Sequence, residues 1–334
     1  MALTKASLKN FTAFQQLDVE FSPGINVFIG ENGTGKTHLL KVLYTACEIT
    51  KSRREFAEKL IQVFYPSNQQ ISRLAYRAKG DTRAKIEVFD GERSISLEFG
   101  RKTRSYTTAK VKTQGDWLEK KLNASYIPVK EMLANAPGFR SLVSTRDLHF
   151  EGVYQDIIDR AFTPKLMGKA HPTRAKLLKI LEGSIEGKVS HANEEFFLSD
   201  KQGNLEFTLV AEGIRKLALL WLLIQNGTLW KGSVLFWDEP EANMNPKHLR
   251  NIVEILYELQ KTGMQIFIST HNYILLKEFQ VQKKKQNKVR FHSLFRESGE
   301  DKKINHSSTE DYLQIHPNTI VDTYSELYER DQRN

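Results

Sequence analysis

The chain has 334 residues, 40% of them hydrophobic, which suffices for one large α/β domain or two ordinary ones. Its longest apolar run, Leu217 to Ile224, is too short for a bilayer, and Met1–Lys5 leads straight into a strand-like segment, so a soluble cytoplasmic protein without a signal peptide or membrane partner is expected. The single cysteine, Cys47, excludes an intramolecular disulfide and a cysteine-based metal site, and the net charge of +9 is concentrated in residues 51–121, which hold 17 Lys/Arg against 9 Asp/Glu. Such a segment is the footprint of a nucleic-acid or acidic partner, and equally that of a solvated face.

Residues 3–11 and 17–21 alternate apolar with polar and read as two antiparallel strands, followed by the turn Ser22-Pro23-Gly24. Gly24–Ile29 is apolar and β-branched, as a buried strand is. Next comes Gly30-Glu31-Asn32-Gly33-Thr34-Gly35-Lys36-Thr37, a full match to G-x-x-x-x-G-K-[ST], and then helical spacing from His38 to about Lys51. Strand, glycine loop and helix in that order make a phosphate site, because the glycines let backbone N–H groups curl around an anion at a helix N-terminus. Residues 30–38 are therefore the candidate nucleotide-binding set. Lys36 is expected to reach the β- and γ-phosphates and act in catalysis, with the Thr37 hydroxyl on Mg²⁺.

Residues 51–70 look helical and end in a polar loop, Ser67–Gln70. Lys85–Phe89 and Ser94–Phe99 alternate with period two across Asp90-Gly91-Glu92, a hairpin pattern, and Ser125–Pro128 is a short strand. From Arg146 to Glu195 the pattern is that of helices broken at Thr163-Pro164 and His171-Pro172, a helical lobe without a chemical motif. There is no long heptad run. Phe196–Leu198 and Leu205–Leu209 read as strands, turning at Gln202-Gly203-Asn204.

Gly232–Pro240 is an apolar strand that ends in Asp238-Glu239. A strand delivering an acid pair beside a phosphate loop assigns Asp238 to Mg²⁺ and Glu239 to the hydrolytic water. Met264–His271 is another buried-type strand with a polar end, which makes His271 a sensor of the γ-phosphate. Lys288–Phe295 is a strand that pairs with Lys302–His306 across Ser298–Asp301. The charge run Gln282–Lys288 reads as a solvated loop. His292 and His306 have no partners at metal-ligand spacing and read as structural.

Together these residues resemble the ATP-binding-cassette (ABC) ATPases, and more closely their soluble SMC-, RecF- and OLD-like, AAA-family branch; the opening Leu8-Lys9-Asn10-Phe11 fits it too. The resemblance implies an α/β fold: an ABC-type P-loop NTPase head with an antiparallel β subdomain and a helical lobe, and no long coiled coil. On this expectation 1–334 is one module, with 1–50 and 205–334 as nucleotide-binding core, 51–135 as a basic β-containing segment and 140–200 as the helical lobe. In the family a signature loop binds ATP held by the other protomer. Its place is taken here by Ala211-Glu212-Gly213-Ile214-Arg215-Lys216, where Gly213 matches the second glycine and Ala211 and Glu212 replace the Ser and first Gly, a departure from transporters. Arg215 and Lys216 stand where they would meet a partner's phosphate, or are plain surface charges. Glu241–Pro246 corresponds to the dimer-interface loop, and Lys130 or Glu131 stands nearest the family's Gln-loop. With Tyr126–Leu133 and Asp238–Asn243, the pattern resembles the compact ATPases of bacterial anti-phage systems of the Septu and retron-associated type. The resemblance thus implies ATP and Mg²⁺, a head-to-tail homodimer or higher oligomer, and a separately encoded nuclease or toxin. A RecF-like ATPase that grips DNA through residues 51–121, or a slowly hydrolysing assembly scaffold, are the alternatives.

Overall fold

The computed structural model describes residues 2–52, 54–77, 82–145, 149–168, 170–297 and 303–333. Strands β1 (Lys5–Phe11), β2 (Phe14–Glu20) and β3 (Ile25–Ile29) lead into helices α1 (Lys36–Ser52) and α2 (Phe56–Phe64). β4 (Arg83–Asp90), β5 (Arg93–Gly100), β6 (Lys110–Gln114) and β7 (Ala124–Ile127) follow, then α3 (Phe139–Thr145), α4 (Gly152–Ala161) and α5 (Pro172–Ile185). β8 (Lys188–Ala192), β9 (Glu195–Asp200) and β10 (Gly203–Glu206) precede α6 (Glu212–Gln225), β11 (Val234–Asp238), α7 (Leu249–Lys261) and β12 (Gln265–Ser269). The chain continues through α8 (Tyr273–Gln282), β13 (Val289–Arg296), β14 (Ile304–Thr309) and α9 (Thr319–Gln332).

The site is built on a six-stranded sheet in the order β14-β13-β3-β12-β11-β7, parallel except for β14. Every residue of β3, β11 and β12 is buried because both faces of the sheet are covered, the general condition of parallel sheets. Ile25, Val27 and Ile29 of β3 point into a core shared with α5, α6, α7 and α8. Phe28 of the same strand points the other way, into a core with α1 and the antiparallel sheet. Helix α1 lies between layers, which is why it buries residues all round, Cys47 among them.

A five-stranded antiparallel sheet, β2-β1-β4-β5-β6, caps the second core. It joins strands from the first 20 residues to strands from 83–114, so the expected division at residue 51 runs through one sheet. The expected lobe over 140–200 is not wholly helical: β8 pairs with β9 and β9 with β10 in a third sheet. The strand expected over 205–209 stops at Glu206, and the paired turn shifts to Lys201-Gln202. The tail hairpin forms with Arg296 opposite Ile304; the turn expected over 298–301 lies outside the described residues. Among the described residues the longest helix is the 17-residue α1, and no helix is long and apolar enough to cross a membrane.

The basic segment is partly neutralised. Lys59, Arg83, Lys85, Arg93 and Lys120 make ion pairs with carboxylates, whereas Lys102, Arg104, Lys110, Lys112 and Lys121 are exposed on or near the edge strand β6.

Candidate nucleotide site

The phosphate loop joins the carboxyl end of β3 to the amino end of α1. Gly30 adopts φ +141° with the Leu294 carbonyl packed where a side chain would stand, and Gly35 adopts φ +92° against the Phe14 ring. Neither position admits a Cβ. Lys36 is buried, and its Nζ donates to the carbonyls of Gly30 at 2.6 Å and Glu31 at 3.0 Å. Burial pushes this amine below its usual pKa, while Glu239, Asp238 and Glu241 pull it back up. Thr34 is buried with its hydroxyl on the Glu31 carbonyl, and Glu31, Asn32 and Gly33 are exposed at the mouth. The His38 ring turns away to pack on Phe64, and burial drives its pKa down to about 4, so its imidazole is neutral.

The register of the central strands lines up the remaining groups. β11 and β12 pair in parallel with Asp238 opposite Ser269, and β12 pairs with β3 with Ser269 opposite Phe28. Three carboxyl ends therefore meet at one edge, where an α/β sheet presents its ligand crevice. The Thr37 hydroxyl stands 3.1 Å from Asp238 Oδ1. The Ser269 hydroxyl also donates to Oδ1, and Tyr126, from β7, donates to Oδ2 at 3.0 Å. A hydroxyl beside a carboxylate, both oxygen donors and next to a loop of N–H groups, suits Mg²⁺ with phosphate.

Glu239, just past β11, takes φ +46°, a left-handed conformation uncommon outside glycine. The turn brings its Oε1 to 3.3 Å from His271 Nδ1. Each group reinforces the charge of the other: the hydrogen bond to His271 holds the Glu239 carboxyl below its usual range, and the same bond raises the His271 imidazole. Glu241 ties the following loop to the end of β12, accepting from Thr270 Oγ1 at 2.6 Å and from the His271 N–H at 3.2 Å.

The structure brings Lys36, Thr37, Asp238, Glu239 and His271 together, and treats the signature-loop segment differently from the sequence expectation. Arg215 and Lys216 are neither surface charges nor free to meet a partner. Arg215 points inward to Glu131 and donates to the carbonyls of Phe207 at 3.0 Å and Val210 at 2.6 Å. Lys216 is 1% exposed and donates to the Ala242 carbonyl at 2.7 Å. Both face into the protein, at the point where α6 enters the core that buries it from Lys216 to Ile224. Gly213 is buried within its own chain, where a Cβ would stand 2.8 Å from the Asn243 carbonyl oxygen. Of the two Gln-loop candidates, Glu131 is buried on Arg215 and Lys130 is exposed.

Sequence reading did not single out Tyr126 or Ser269 as partners of Asp238; a polar residue near the carboxyl end of a buried strand was the available signal. It also left His292 and His306 apart. They are 3.1 Å from each other, with His292 stacked on Phe28 and its Nε2 3.2 Å from Asn26 Oδ1. Among the described residues no group of three or more His, Cys, Asp or Glu side chains is placed to hold a metal.

Comparison with known proteins gives a consistent picture. A family model described as "AAA domain, putative AbiEii toxin, Type IV TA system" matches residues 25–277. The DNA replication and repair protein RecF of Streptococcus suis (strain 05ZYH33) is 37% identical over 90 residues, 27% of this chain and 24% of that protein. RecF of Clostridium botulinum (strain Eklund 17B / Type B) is 32% identical over 98 residues, 29% and 27% of the two chains. The matches thus span about a quarter of these relatives' length. Among solved structures, an SMC head bound to the C-winged helix domain of ScpA superposes with TM-score 0.57 at 12% identity, covering 92% of this chain and 98% of that one. The Pyrococcus furiosus SMC head with an extended coiled coil, bound to the C-terminal domain of ScpA, gives TM-score 0.55 at 10% identity, covering 99% of each chain. These likenesses show the fold, that of an ABC-type ATPase head. The family match covers well over half of the chain, and the protein belongs to this family of AAA domains, with the fold of an SMC head.

Proposed function

We propose that the chain is an ATP-hydrolysing switch that closes head-to-tail with a second copy around ATP and gates a separately encoded nuclease or toxin in anti-phage defence. The observation that supports ATP hydrolysis is the convergence of Lys36, Thr37, Asp238, Glu239 and His271 where β3, β11 and β12 end, and the effector and the defence setting rest on the resemblance of the sequence. The loop N–H groups and the start of α1 hold the triphosphate, and Lys36 exchanges the Gly30 and Glu31 carbonyls for phosphate oxygens. Thr37 and Asp238 hold Mg²⁺, which when bound offsets charge on the phosphates. Glu239, kept ionised and aimed by His271, takes a proton from the attacking water as its oxygen bonds to the γ-phosphorus. The bond from the γ-phosphorus to the bridging oxygen breaks, and ADP and phosphate leave. His271 offers the γ-phosphate a hydrogen-bond donor from its ring. With Gly213 covered by Asn243 and Met244, contact with the partner's ATP falls to the exposed residue Ala211 at the start of α6.

The RecF matches and the exposed lysines around β6 favour a second reading, a DNA-binding repair ATPase. One experiment separates the two. Glu239→Gln, which retains the fold of the site but lacks the base, is purified from the native host with ATP and Mg²⁺, and its co-purifying material is analysed by mass spectrometry and nucleic-acid staining. A stoichiometric nuclease or toxin-like protein on an ATP-dependent dimer supports the switch. Nucleic acid alone, released by moderate salt, supports the repair reading, and monomers at saturating ATP refute the shared site.

A further inference from the structure

Strand β13 does not stop level with β3. Their pairing ends at Ser293 opposite Ile29, so residues 294–296 run on beside the phosphate loop. The strand end touches the loop twice: the Leu294 carbonyl packs on Gly30, and Arg296 Nη2 donates to the Gly33 carbonyl at 3.0 Å. The guanidinium lies against Gly33 itself, 2.9 Å from where a Cβ would stand. Arg296 is exposed, and among the described residues no carboxylate is at ion-pair distance from it.

The consequence follows from the geometry of a trans peptide, in which C=O and N–H point in opposite directions. A donor that holds the Gly33 carbonyl outward turns the next N–H, that of Thr34, toward the loop interior, where its partner is the Glu31 carbonyl at 3.4 Å. That bond is at the long limit and readily exchanged for a phosphate oxygen. Lys36 holds the Gly30 and Glu31 carbonyls from the inner side, so two cations fix three carbonyls of one loop.

We propose that Arg296 is a positioning residue of the phosphate loop: it fixes the Gly33–Thr34 peptide so that the Thr34 N–H is already aimed at the bound phosphate. The proposal rests on the reading of this loop as a nucleotide site. A preset donor lowers the ordering cost of binding and leaves the chemical step unchanged. It acts on any nucleotide that fills the loop, whether or not a γ-phosphate is present.

The test compares wild type, Arg296→Ala and Arg296→Lys by calorimetric titration with Mg²⁺-ADP and with a non-hydrolysable Mg²⁺-ATP analogue, together with steady-state ATPase kinetics. Arg296→Ala is expected to weaken both nucleotides alike, by roughly five- to tenfold, the scale of one net hydrogen bond. KM rises accordingly, with kcat within about twofold of wild type. Arg296→Lys recovers part of the loss, because an ammonium can reach the same carbonyl. A loss confined to the ATP analogue would mean that Arg296 touches the γ-phosphate and would overturn the positioning role. Unchanged affinities, or a fall in kcat at constant KM, would overturn it as well. Wild-type protein that binds neither nucleotide would instead sink the reading of the loop.

Discussion

Replacing Arg215 by Met tests the inward placement of the signature-segment cation. The Glu131 side chain is fully buried and Arg215 is 16% exposed, and the guanidinium also serves the carbonyls of Phe207 and Val210. Methionine keeps much of the length of the side chain but strands a buried carboxylate and two carbonyls. Breaking one side of a buried pair costs about 3–5 kcal/mol. Burial already pushes the Glu131 carboxyl up, held back by Arg215 and the Leu133 N–H. Without the guanidinium it rises further above its unfolded value. A carboxyl raised in the folded state binds its proton more tightly there than in the unfolded chain, so the variant loses stability as pH rises through the interval between the two values. Urea unfolding followed by tryptophan fluorescence should therefore show Arg215→Met losing about 3–5 kcal/mol at pH 8 and distinctly less at pH 5. Adding Glu131→Gln, which removes the charge, should restore much of the loss at pH 8. A loss below about 1 kcal/mol that is equal at the two pH values, in the range of an exposed pair, would refute the buried arrangement.

Two further outcomes follow from the same face. The bond to Glu239 raises the His271 imidazole, so an NMR titration of His271 should give a midpoint above the ordinary value of 6.5, and Glu239→Gln should lower it. The charged pair persists until pH rises through the raised histidine value or falls through the depressed Glu239 value; a midpoint unmoved by the substitution would contradict the pairing. Gly213→Ala should lower the melting temperature of the nucleotide-free protein by a few degrees. Its Cβ would stand 2.8 Å and 3.1 Å from backbone atoms of Asn243 and Met244, an overpacking cost of about 1–3 kcal/mol against a helix-propensity gain of about 1. An unchanged melting temperature with lost ATP-dependent dimerisation would place the role of this glycine across the dimer instead.

Local sequence was most informative where chemistry and backbone shape coincide. The phosphate loop and the Asp238-Glu239 pair each follow an apolar strand, so the pattern specifies both the residue and the place where it emerges. It failed where the deciding contact was distant. Arg215 and Lys216 look like surface charges until Glu131 and Ala242 are folded against them, 84 and 26 residues away. Tyr126 meets Asp238 across 112 residues. β6 and β8 escaped notice because they lack an alternating apolar face: every residue of Lys110–Gln114 is exposed, and of Lys188–Ala192 only Val189 is buried. The same long range hides Arg296, whose bond to Gly33 spans 263 positions.

The phosphate-loop strand has one further property, which concerns synthesis. β3 is complete at residue 29, yet its two neighbours in the sheet, β12 and β13, are supplied by residues 265–296. At translation rates of roughly 5–20 residues per second, the strand waits on the order of tens of seconds for its partners. During that interval β1 and β2 can already pair with each other, and β4 can join them once it has been made. The pairings of the antiparallel sheet are thus available to a ribosome-held chain before the nucleotide site, whose frame is complete only after residue 296. Partial products carry the glycine loop without the frame that shapes it.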